Sequence, residues 1–76
     1  MEKSILTEKT LLKRIARNLK AIRHERHLTQ EQVIDFVKMH LVSYQRMESA
    51  NPPNIRIYNL YQIAQCLDVS VDRLFK

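Results

Sequence analysis

Gln45 and Arg46 lie in a stretch, Thr29 to Glu48, whose polar side chains suit recognition better than bond breaking. Arg46 carries a planar fork of donors that can hold two acceptors in one plane, and Gln45 offers both a donor group and an acceptor. His40, Leu41, Val42 and Ser43 precede them, and Gln30 stands further upstream. The usual catalytic sets are missing. His24, His27 and His40 do not combine with the single Cys66 at a metal-ligand spacing. No nucleophile elbow, phosphate-binding glycine loop or pair of carboxylates is present. One cysteine also excludes an internal disulfide. The residue types point away from an enzyme and from a metal or other cofactor.

The elements that must position these side chains can be read from the apolar spacing. Thr29 can cap a helix, its hydroxyl accepting from the backbone near Gln32, and Gln32 stands where a capping box reaches back. Val33, Ile34 and Val37 give that helix one apolar face; Met39 follows, and Tyr44 and Met47 begin a second inward set. The spacing predicts two short helices meeting at a tight corner over about residues 29–49. His40, Leu41, Val42, Ser43, Gln45 and Arg46 then face outward.

A longer helix precedes them. Residues 1–6 read as a flexible lead-in, Thr7 as a cap, and Leu6 with Leu11 as a hydrophobic staple. Leu12, Ile15, Leu19 and Ile22 form a stripe running to about Arg26. From Lys9 to Arg26 there are seven Lys/Arg and one acid, Glu25, so nearly all the excess charge lies on this helix. Two readings stand for that face: an ordinary solvated surface, or a phosphate-contacting one. Asn51-Pro52-Pro53-Asn54 is a rigid connector at which the preceding helix must stop. A fourth helix carries Ile57, Leu60, Ile63, Ala64 and Leu67 inward, with Cys66 as a small apolar neighbour. Ser70 can cap a last short helix bearing Val71, Leu74 and Phe75.

Seventy-six residues suit a single domain, 1–76, with a marginal core. Thirteen Lys+Arg against eight Asp+Glu give +5, a balance that favours a polyanionic partner. No apolar run reaches membrane length and no signal-peptide pattern occurs, so a soluble, cytoplasmic protein without membrane contact or small-molecule ligand is expected.

The stretch from Leu28 to Glu48 resembles the helix-turn-helix of the Cro/Xre-type DNA-binding family, which includes phage repressors and small controller proteins. Leu28, Thr29, Gln30, Glu31, Val33, Val37, Arg46 and Glu48 fall into its register without a gap. Ile57 to Phe75 resembles the family's fourth and fifth helices, so the likeness covers about residues 15–75. The family often has Ala, Gly and Ser where Ile34, Lys38 and His40 stand. Because the chain contains no glycine, helix ends that need left-handed backbone must use His27, Lys38, Asp68 or Asn51.

The resemblance implies an all-α, five-helix bundle of lambda-repressor-like type, a transcriptional regulator acting on double-stranded DNA. It implies base contacts from Leu41, Val42, Gln45 and Arg46, with the recognition helix at about 40–49 in the major groove. Backbone contacts fall to Gln30, His40, Ser43, Asn51 and Asn54, although turn chemistry explains the two asparagines almost as well. Arg23 and Glu48 are implied as a structural ion pair. A homodimer on a palindromic operator is expected, with Val71, Leu74 and Phe75 at the seam or, alternatively, closing the monomer core. Leu41 and Val42 leave a second course open: they pack on thymine methyls, or this fold serves as a protein-interaction module.

Overall fold

The structure, a computed structural model, describes residues 7–76. Thr7 adopts extended geometry and its hydroxyl accepts from the Thr10 N–H at 3.1 Å, which starts helix α1, Glu8–Glu25. The Leu6–Leu11 staple and the 1–6 lead-in lie outside the described residues. The other helices are α2, Gln30–Val37; α3, Leu41–Met47; α4, Ile57–Leu67; and α5, Val71–Leu74. The fold is all-α, with no strand among the described residues.

Three corners use left-handed backbone without glycine: His27 (φ 58°), Lys38 (φ 63°) and Asp68 (φ 59°). Each closes a helix. The Leu28 N–H returns to the Arg23 carbonyl at 3.1 Å, Lys38 to Ile34 at 2.7 Å, and Val69 to Ala64 at 3.0 Å. A Cβ makes this conformation unfavourable by roughly 1–2 kcal/mol per residue. Asn51, the fourth position considered, keeps negative φ; the two prolines after it turn the chain instead.

One core joins all five helices. Ile15, Leu19 and Ile22 of α1 meet Val33 and Val37 of α2, Tyr44 and Met47 of α3, Leu60, Ile63, Ala64 and Leu67 of α4, and Leu74 of α5. Leu28, Ile34, Met39, Ile55, Cys66 and Val69 close its edges. Burial pushes the Cys66 thiol up, which disfavours a reactive thiolate.

The structure corrects two apolar assignments. Ile57 is 84% exposed rather than inward. It is the first residue of α4, and the chain leaving the prolines turns Ile55 onto the core in its place. Leu74, expected at a dimer seam or alternatively in the monomer core, is fully buried within the monomer. The Asn18 side-chain amide donates to the Leu74 carbonyl at 2.8 Å and holds α5 on α1. Of the expected seam, only Phe75 is exposed and Val71 is half-buried.

Candidate nucleic-acid interface

The two helices that carry the candidate residues are fixed locally before they are fixed by packing. The Gln32 N–H donates to the Thr29 hydroxyl at 3.1 Å, and the Thr29 N–H donates to the Gln32 side-chain carbonyl at 2.8 Å. This capping box satisfies two donors that the start of α2 would otherwise leave open. Left-handed Lys38 then breaks the chain, Met39 anchors the turn, and extended His40 leads into α3.

α3 has only seven residues and no side-chain cap. Tyr44 and Met47 are buried, so the remaining positions are turned away from the core. Val42, Ser43, Gln45 and Arg46 are exposed, and Leu41 is half-buried. The outward placement expected of these side chains is present, with Leu41 only partly so.

A helix this short needs an external hold, and Glu48 at its end supplies one. Arg23 Nε donates to Glu48 Oε2 at 2.8 Å and Nη2 to Oε1 at 3.0 Å, a two-point pair with side chains 9% and 3% exposed. Arg23 Nη1 also donates to the Leu28 carbonyl at 2.9 Å, so one guanidinium joins α1, the corner before α2 and the end of α3. Burial alone would raise the Glu48 carboxyl. Hydrogen bonds from Arg23 and Gln30, with the Arg23 charge, outweigh it and hold the group below the usual range. The Arg23 guanidinium is raised in turn, chiefly by its bond to Glu48. Tyr44 is buried beside this pair; desolvation first, then Glu48, push its phenol well up, so it stays neutral. Its hydroxyl completes no hydrogen bond of good geometry among the described residues.

Gln30 has a framework role beyond the one expected of it. Its side chain was expected to aim at a phosphate, but Nε2 donates to Glu48 Oε1 at 3.1 Å and Oε1 accepts from Gln45 Nε2 at 3.4 Å. The side chain is half-buried and committed to the framework. A phosphate at the start of α2 would compete with Glu48 for it.

The other backbone candidates divide into two groups. His40, Ser43 and Asn54 line one cleft of about 430 Å³, together with the base candidate Arg46. Asn51 lies elsewhere, beside Lys9, Lys13 and Pro52. The cleft also brings in Lys38 and Arg56, both exposed, neither of which sequence reading assigned to the interface. Arg56 could have been noticed, because a cation just after the proline connector enters wherever that connector leads. No acid lines the cleft, and Lys38 pairs only loosely, at 3.9 Å, with exposed Asp35. Several cations open to solvent around one concavity form an anion-accepting surface.

An outward, firmly anchored second helix after a tight corner, flanked by unopposed cations, defines a helix-turn-helix of the DNA-binding kind. A family model described as helix-turn-helix matches residues 19–74, and the chain belongs to that family, of Cro/Xre type. It is a DNA-binding helix-turn-helix regulator. No curated protein matches the chain. Among the described residues, no helix is long and apolar enough to cross a membrane.

Proposed function

We propose that the chain is a sequence-specific transcriptional regulator that binds a palindromic operator as a homodimer and acts by occupying it. The observation that carries this reading is the outer face of α3. Val42, Gln45 and Arg46 project from a helix pinned by Tyr44, Met47 and Glu48. Arg46 is assigned to guanine, whose O6 and N7 match its two donors, and Gln45 to adenine. Val42 and half-buried Leu41 are assigned to thymine methyls. His40, Ser43, Asn54 and Asn51 position the phosphate backbone, and Gln30 contributes through its backbone N–H at the start of α2.

One module covers one half-site, so a two-fold dimer would read half-sites about one helical turn apart. The seam is proposed on Val71 and Phe75 with the outer side of α4. Ile57, Tyr58 and Tyr61 there are exposed, and α4 contains no charged residue. A charge-free contact suits two protomers that each carry +5.

Exposed Val42 and Phe36 favour a second reading, a protein-interaction module on the same fold. Selection of bound sites from random DNA separates the two. The DNA reading expects one recovered motif with two-fold symmetry. Recovery of no motif, together with capture of a protein partner that is lost in Val42→Asp, would establish the other.

A further inference from the structure

The contacts proposed above lie on α2, α3 and the connector, yet the densest positive charge lies on α1. Its Lys/Arg residues do not act as one face. Arg23 is held by Glu48, Arg14 donates to the Phe75 carbonyl at 3.5 Å, and Arg26, just past the helix end, donates to the Asp68 carbonyl at 3.3 Å. Lys9, Lys13, Arg17 and Lys20 are different: all four are exposed, and none forms an ion pair among the described residues. The i, i+4, i+8 spacing of Lys9, Lys13 and Arg17 sets those three in one row along the helix.

What flanks the row fixes its place. Lys9 and Lys13 share a depression of about 260 Å³ with Asn51 and Pro52. Lys13 and Arg17 share another of about 360 Å³ with Glu48, Ser49 and Ala50. The row therefore runs beside the segment leaving the end of α3. The acids along it are Glu8 and Glu48, and Glu48 is already neutralised by Arg23, so the strip stays cationic. All three residues precede the family-matched segment, which starts at residue 19.

We propose that Lys9, Lys13 and Arg17 form a second DNA-backbone track, which contacts phosphates beyond those held by α2, α3 and the connector. This inference rests on the DNA-binding reading above. Eight residues of helix span about 12 Å, which matches about three phosphates along one strand. Extended cationic side chains without a fixed acceptor geometry neutralise phosphate and name no base, so the track adds salt-dependent, sequence-indifferent affinity.

The test titrates the full chain against two labelled duplexes, one of random sequence and one carrying the site recovered by selection with its flanks. Binding is followed between about 50 and 200 mM salt, where the slope of log K against log salt is about −0.9 per neutralised phosphate. The Lys9→Gln/Lys13→Gln/Arg17→Gln variant is expected to show a slope shallower by about 2 to 3 on both duplexes. The charge-keeping Lys9→Arg/Lys13→Arg/Arg17→Lys variant should retain the wild-type slope, and all three proteins should melt together. A wild-type slope in the glutamine variant overturns the track and leaves the DNA reading standing. If the wild type binds neither duplex, both fall.

Discussion

α3 and α4 both bury one stripe of side chains, yet they turn opposite chemistry outward and are held in place by different forces. α3 buries two residues and leaves a cation, an amide and a hydroxyl facing solvent; α4 buries four, and its outer face is uncharged. On that face Tyr58 and Tyr61 accept from Gln62 and Gln65 one turn along, at 2.9 and 3.0 Å. Apolar burial suffices for α4. α3 has too little of it and depends on a buried charge pair. A helix that offers its donors to a ligand cannot also bury them, so its stability has to come from beyond its own span.

The largest effect should come from breaking that hold. Glu48→Ala leaves a buried guanidinium unpaired, and Arg23→Ala strands the carboxylate; each should cost about 3–5 kcal/mol. Circular dichroism melts check this, with loss of DNA binding following loss of fold. An unchanged melt with binding abolished would refute the structural role. Acid probes the same pair. Glu48 titrates below its ordinary value of 4.5 in the folded chain, so the unfolded chain takes up the proton first. The pair's contribution is complete above about pH 4.5 and is lost as pH falls below it. In Glu48→Gln that acid-side dependence should flatten.

Arg46→Ala should leave the melt unchanged and weaken binding to the preferred site by about 1–3 kcal/mol, relaxing preference at one base pair. An equal loss on random DNA would make Arg46 a phosphate contact. Lys38→Gly removes a Cβ from the left-handed corner between α2 and α3 and should raise stability by up to about 1 kcal/mol in urea denaturation. Smallest of all, Tyr61→Ala should shift monomer stability by no more than about 0.5 kcal/mol. Sedimentation should still show weaker self-association. A large drop in stability would place Tyr61 in the core's support and erase the contrast with α3.

Much of the fold was legible because its signals are local. Thr7 and Thr29 announce helix starts by side-chain chemistry, and without glycine the left-handed corners had few places to go. The Arg23–Glu48 pair was legible only through family register, since 25 residues separate the partners. Ile57 misled because its spacing to Leu60 fits a helical stripe. Periodicity does not record how the chain enters a helix after two prolines. The framework role of Gln30 was hidden for a different reason. Its position at the start of α2 is visible in the sequence, but its bonds to Gln45 and Glu48 span 15 and 18 residues and exist only once α3 is docked. The division of Asn51 from Asn54 likewise depends on where the connector lies against α1 and α3.

The glycine-free backbone has a further consequence, on the unfolded side of the equilibrium. Glycine roams most widely in a denatured chain and so loses most freedom on folding. A chain with no glycine and with two adjacent prolines starts from a narrower ensemble, and ordering it costs less entropy. His27, Lys38 and Asp68 thus trade strained corners in the native state for a stiffer denatured one. For a core built from so few residues, that trade offsets part of what small size denies it.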